Sequence, residues 1–340
     1  MSVSLADFSA QGENVNSFIS SFRTGNVPHA AIIDGPTGSG KKTLSGLLSQ
    51  LLFCDNRNGG EPCGVCPSCV QIAAGTHPDL IMLSKEKALI KGAKTDRKSI
   101  GVDDIRELIS LTAVFTTTGK RIVVLEDADT LTVEAQNSLL KTLEEPPDGT
   151  CFILITEHPE ALLTTVISRC RRIHLRPWSD EYIKKVLASE GISQARCEQT
   201  VIYCEGSVGK ALSMAKDEEY WDFRKHVMDS VFRLKNRSDI FAVSAAYSDK
   251  RNDFDPFLDT VESMLTILLY VRLGKLSQRI MEEYPDPWKT FAEQADIGRF
   301  DHLFEQIRKA RIMRDSNVNP SAVLENLLFV FMEEQSKWCK

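Results

Sequence analysis

The chain has 340 residues, of which 42% are hydrophobic and 26% charged, and its 41 basic side chains stand against 47 acidic ones for a formal net charge of −6. That length exceeds what a single core usually supports, so two or three domains are expected, and no apolar run approaches the roughly 20 residues that cross a bilayer. The negative balance excludes a protein that grips nucleic acid over its whole surface, leaving only local or shared DNA contacts.

The opening stretch, MSVSLADFSAQGEN, lacks the basic-then-apolar pattern of a secretory signal, which predicts a cytoplasmic protein with reduced thiols. The first clear element is the strand AAIID at 30–34, followed by the loop GPTGSGKKT and a helix over 41–53 with Leu44, Leu47, Leu48, Leu51 and Leu52 at helical spacing. The loop follows G-x-x-x-x-G-K through Gly35, Gly40 and Lys41. Backbone N–H groups there would wrap phosphates, and Lys41 would reach the terminal ones. Gly35, Gly38, Gly40, Lys41, Lys42 and Thr43 are therefore the candidate nucleotide contacts, for ATP or ADP held weakly. The weakness comes from Lys42, which stands where a serine or threonine hydroxyl should ligate magnesium. Thr43 does not replace it, because one helical residue turns the side chain by about 100°. The alternative is a Lys42 that points to solvent, with water in the hydroxyl's place.

Next comes C-x8-C-x2-C-x2-C at Cys54, Cys63, Cys66 and Cys69, with glycines and prolines between that let four thiolates converge. Four soft ligands suit tetrahedral zinc, and a closed set leaves no open position, so the metal would be structural. An iron–sulfur cluster and free thiols are the alternatives. The remaining cysteines, Cys151, Cys170, Cys197, Cys204 and Cys339, are scattered singly and read as core or surface residues. Lys91, Lys94, Arg97 and Lys98 are either a DNA contact or a solvated mixed-charge loop.

A second strand covers Arg121–Leu125 and ends in Glu126 and Asp127; a helix with Ala135, Leu139, Leu140 and Leu143 follows and stops at Pro146 and Pro147. The acids occupy the position that holds and orients metal and water in phosphate-loop proteins, but in reversed order. Asp127 is one methylene shorter than the expected base, and misplacement by about 1 Å can cost about 10²-fold in rate. A third strand, CFILIT, ends at Thr156, and RRIHL is a fourth short one. Alternating strands and helices predict a mostly parallel sheet covered on both faces. Beyond Pro177 the strand signals fade, and FLDTVESMLTILLYVRL and NPSAVLENLLFVFMEE read as helices, the latter capped by Asn319 with Pro320 in its first turn.

The strings VPHAAIIDGPTGSGKKT, AGTHPDLIML, SIGVDDIREL, NSLLKTLEEPPDGTCFILIT and ISRCRRI resemble the bacterial clamp-loader subunits of DNA polymerase III, within the AAA+ ATPases, over about residues 15 to 215. The resemblance implies an α/β AAA+ domain at 1–175, a helical lid at 176–236 and an all-α collar domain at 237–340. It assigns Arg169 of Ser168-Arg169-Cys170 as an arginine finger for a neighbouring subunit's ATP, and Thr156 as a sensor position. An always-charged planar guanidinium suits charge developing on a transferred phosphoryl group; the alternative is an ordinary strand-end arginine paired with an acid. Where motor subunits carry Gly-Ser-Leu-Arg, this chain reads Gly206-Ser207-Val208-Gly209, so a second-sensor arginine is replaced by Gly209. Lys42, the reversed Glu126–Asp127 pair and Gly209 all touch hydrolysis, whereas Arg169 serves a neighbour.

The expected type is therefore delta-prime: a stator whose partners are gamma/tau and delta subunits, with the sliding clamp and primed DNA reached through the complex. A hydrolysing gamma-type motor subunit is the rival, and a phosphate-loop kinase of small molecules the remote one. The apolar stripe Val323, Leu324, Leu327 and Leu328 is either a collar surface or domain core.

Overall fold

Five strands, β1 (Ala30–Asp34), β2 (Leu80–Leu83), β3 (Arg121–Leu125), β4 (Thr150–Thr156) and β5 (Arg171–His174), form one sheet in the order β2-β3-β4-β1-β5, with every pairing parallel. The computed structural model describes residues 3–86, 99–114, 116–248, 253–275, 281–282, 284–316 and 318–338; Lys91, Lys94, Arg97, Lys98 and Cys339 lie outside them. The central strands β1, β3 and β4 are buried along their whole length, which is why they read as continuous apolar runs. At the edges, β2 and β5 are only partly buried.

The chain divides into two compact units, 1–213 and 214–340. The first holds the sheet and the helices α1 (Leu5–Ser9), α2 (Glu13–Thr24), α3 (Lys41–Phe53), α4 (Pro67–Ala73), α5 (Val102–Thr112), α6 (Val133–Glu144), α7 (Thr164–Ile167), α8 (Asp180–Ser189) and α9 (Gln194–Tyr203), and α10 (Val208–Lys216) begins in it. Its core joins β1, β3 and β4 to α5 and α6 through Ile32, Leu108, Val123, Leu139, Phe152 and Leu154. The parallel register aligns Asp34 with Thr156 on one side and His174 on the other, so the carboxyl ends of β1, β4 and β5 form one rim. Ligands of open parallel sheets are held at such rims.

The second unit is helical among the described residues: α11 (Glu218–Phe232), α12 (Arg237–Ser248), α13 (Phe254–Arg272), α14 (Asp286–Gln294), α15 (Ile297–Asp315) and α16 (Pro320–Lys337). Asn319 caps α16 through the Ser321 amide, with Pro320 at its first position as expected. Phe232, Trp288, Phe291 and Phe331 pack as an aromatic core. Val323, Leu324, Leu327 and Leu328 are buried inside this unit, so the stripe is domain core and not a free surface. Among the described residues no helix is long and apolar enough to cross a membrane.

Candidate functional site

The loop between β1 and α3 takes the conformation its glycines permit, with Gly38 at φ 73° and Gly40 at φ 95°. It is closed by its own chain. A Cβ added at Gly38 would lie 1.6 Å from Ser207 Oγ and 2.6 Å from Ser207 Cβ, so the segment carrying Gly206 to Gly209 is seated directly on the loop. Trp178 Nε1 donates to Ser39 O at 2.9 Å, and the Phe8 ring lies edge-on to Trp178 and against Gly40. Lys41 is buried and turned inward, its Nζ donating to Gly35 O at 2.7 Å and Pro36 O at 2.9 Å, and it lies 3.4 Å from Glu157 Oε1. Thr37 Oγ1 donates to the other Glu157 oxygen at 2.7 Å. Burial alone would raise the Glu157 carboxyl, but the Thr37 hydroxyl and the Lys41 ammonium hold it below its ordinary range. Groups that would meet a terminal phosphate therefore satisfy one another, and the cradle at Gly38 is filled from within. In this fold a nucleotide's phosphates would have to displace these internal partners. An open groove of about 460 Å³ runs from Lys42, Thr43 and Glu126 along α3 to Ile72 and Met82, and Gly35, Gly38, Gly40 and Lys41 do not line it.

Lys42 is exposed, yet it neither waves in solvent nor leaves a water's place: its Nζ lies 2.7 Å from Glu126 Oε2. Burial lowers the Lys42 ammonium and the Glu126 carboxylate more than offsets this, so the net shift is upward and the lysine stays charged. The acid that could hold metal is thus neutralised by the residue that replaced the hydroxyl. Asp127 adopts a left-handed backbone, φ 53°, at the start of a short turn over Ala128–Thr130. Thr156 is buried, and its hydroxyl donates to Asp129 Oδ1 at 3.0 Å, so Asp129 is the acid that meets it. Asp34, at the end of β1, is buried beneath Arg172 Nε at 2.8 Å, Arg172 NH2 at 3.0 Å and His174 Nδ1 at 2.7 Å. Burial raises that carboxyl, and the Arg172 and His174 hydrogen bonds outweigh it, leaving it below the usual range. The pairs tie the loop's first residues to the strand that follows Arg169.

Arg169 lies between α7 and β5 with its side chain about one-third exposed, at 32%. Its Nε donates to Glu144 Oε1 at 2.8 Å, NH2 donates to the same oxygen, and NH1 donates to Thr165 O at 2.8 Å. The arginine is thus paired with an acid, and the pair sits at the protein surface.

Cys54, Cys63, Cys66 and Cys69 converge, their sulfurs all within 4.8 Å of one another, and this group can hold a metal ion. The amides of Cys63, Cys66 and Cys69 donate to the sulfurs of Cys54, Cys63 and Cys66 at 3.3, 3.3 and 3.5 Å. Donors of that kind favour thiolates. Backbone N–H groups of Val65 and Cys66 draw the Cys63 thiol down to about 6, whereas burial pushes the Cys69 thiol up. Four sulfurs in a closed set fit tetrahedral zinc. The module is pinned to α2 by Arg23, which donates to Gly60 O and pairs with Glu61 at 3.3 Å, and Glu61 also accepts from the Leu5 amide.

Glu157, Asp34, Arg172, His174 and Glu144 are site residues that sequence reasoning missed. For Glu157 there was a signal, its place directly after Thr156 at a strand's carboxyl end; for the others there was none. Residues 10–179 match the family described as DNA polymerase III, delta subunit. The chain is 27% identical over 317 residues to the DNA polymerase III subunit delta' of Bacillus subtilis, covering 90% of this chain and 92% of that one. It is 34% identical over 235 residues to subunit delta' of Escherichia coli, covering 68% of each. Against subunit tau of Escherichia coli the identity is 31% over 216 residues, covering 62% of this chain and 32% of that one.

Proposed function

The chain belongs to the delta-prime family of DNA polymerase III subunits and has a delta-prime-like role in the clamp loader, and from that premise we propose that it is the loader's stator, donating Arg169 to an adjoining ATPase subunit while hydrolysing nothing itself. One asymmetry carries this reading. The Lys41 ammonium is buried and Ser207 is seated on the loop, whereas the Arg169 guanidinium, though paired with Glu144, is one-third exposed two residues before a strand anchored through Arg172 and Asp34. An arginine supplied across an interface stabilises charge on the transferred phosphoryl group and is worth about 10³ to 10⁵ in turnover.

In this reading ATP binding by gamma/tau-type subunits opens the sliding clamp for placement on primed DNA during replication in the bacterial cytoplasm. The four-cysteine module holds structural zinc and keeps α2, α3 and the insertion in register. Residues 176–236 act as the lid domain, in which Trp178 and Ser207 rest on the loop, and 237–340 as the collar domain. The pairing of Lys42 with Glu126 counts against the motor alternative, because it removes both the magnesium hydroxyl and the free acid.

The test is steady-state ATP turnover by the reconstituted loader with clamp and primed DNA. Arg169→Ala is expected to abolish the share of turnover due to the adjoining site, a loss of about 10³-fold at that site, and the isolated chain is expected to be inactive. Unchanged turnover in the variant, or ready hydrolysis by the isolated chain, sinks the reading.

A further inference from the structure

The side chain of Arg169 is long and costs rotamer entropy to hold in one place, so a finger that works across an interface gains from being fixed before the neighbour arrives. Two groups fix it here. Glu144, the last residue of α6, accepts from both Nε and NH2 through a single oxygen, and the carbonyl of Thr165 in α7 accepts from NH1. A guanidinium has five N–H donors in a rigid fork. Three are used in this way, and NH1 has a further acceptor in Ser168 Oγ at 3.4 Å, so among the described residues one donor, on NH2, is left clear.

That NH2 donor faces NH1, on the edge of the fork opposite Cδ, the edge that can turn to the oxygens of a phosphate. Glu144 takes the other edge, the one shared by Nε and NH2. It therefore steers the guanidinium without covering the face that would meet phosphate. We propose that Glu144 is a positioning residue for Arg169: its carboxylate turns the guanidinium so that the NH1–NH2 edge is presented to the adjoining subunit's nucleotide. This rests on Arg169 acting in trans.

Both side chains are partly exposed, 32% for Arg169 and 49% for Glu144, so the orientation is worth a modest factor. In the reconstituted loader with clamp and primed DNA, Glu144→Ala is expected to lower kcat at the adjoining site about two- to fivefold, with KM for ATP unchanged. Glu144→Gln keeps an acceptor oxygen without the charge and should recover part of the loss. In the Arg169→Ala background, Glu144→Ala should have no further effect. Loader assembly, followed by gel filtration, should be the same for every variant.

If Arg169→Ala is severe while Glu144→Ala leaves kcat unchanged, the positioning role fails and the donated finger survives. A rise in turnover with Glu144→Ala would mean that the carboxylate competes with phosphate, which also overturns the proposal. If Arg169→Ala itself has no effect, both readings fall together.

Discussion

Replacing Gly38 by alanine tests whether the phosphate loop is closed by its own chain. Three costs add at this position. The backbone sits at φ 73°, where a Cβ costs about 1 kcal/mol. The new methyl would lie 1.6 Å from Ser207 Oγ and 2.6 Å from Ser207 Cβ. The hydroxyl can rotate away but the Cβ cannot, so the start of α10 must move, and overpacking of this kind costs about 1–3 kcal/mol. Ser207 Oγ also accepts from the Lys210 amide at 3.1 Å as a cap, and rotating it away loses up to about 1 kcal/mol. Together Gly38→Ala should destabilise the first unit by about 2–5 kcal/mol, much of the 5–15 kcal/mol typical of a domain. Urea unfolding followed by fluorescence and circular dichroism measures it. Ser207→Gly removes the offending Cβ and should return about 1–3 kcal/mol in the double variant. A loss below about 1 kcal/mol, or an equal loss with and without Ser207→Gly, would show that the segment from Gly206 to Gly209 does not rest on the loop.

Glu157→Gln should strengthen binding of a fluorescent ATP analogue to the isolated chain about two- to fivefold, because an internal anion competing for Lys41 is removed from a partly exposed position; unchanged affinity would clear Glu157 of that role. Metal analysis of the purified chain should find about one zinc, with Cys66→Ser losing it and loosening the segment held by Arg23 and Glu61; iron in place of zinc would correct the identity. Asp34 sets an acid limit: its folded carboxyl is held below its unfolded value of about 3.9, so the stability it contributes is complete above that value and is lost as pH falls through the lower folded one. Arg172→Ala should raise that folded value, bring acid unfolding to higher pH and cost about 1 kcal/mol near neutrality, since the arginine is half exposed and His174 stays beside Asp34, all readable by thermal melts across pH 3 to 7.

Much of the first unit was legible from local pattern alone. The strand at 30–34, the glycine loop and the helix at 41–53 appear where apolar periodicity and glycine chemistry put them, because each is specified by neighbours a few residues apart. The cysteine quartet was legible for a similar reason: its spacing permits convergence whatever the surrounding fold. Lys42 was visible as a departure from pattern, although its partner was not.

What the sequence by itself determined, then, is four of the five strands, their parallel arrangement and the identity of the chemical groups; the partly buried edge strand β2 was not among them. Which groups meet was decided by the order of strands in the sheet. Lys42 pairs with Glu126 across 84 positions, Arg172 with Asp34 across 138, and Trp178 with Ser39 across 139. Even the nearer pair of Arg169 and Glu144 spans 25 residues and the whole of β4. The same holds for Val323, Leu324, Leu327 and Leu328, whose stripe is compatible with core or interface until its neighbours are known. The physical reason is that burial and charge pairing are properties of distance in space, and a parallel sheet brings together carboxyl ends of strands that lie far apart along the chain.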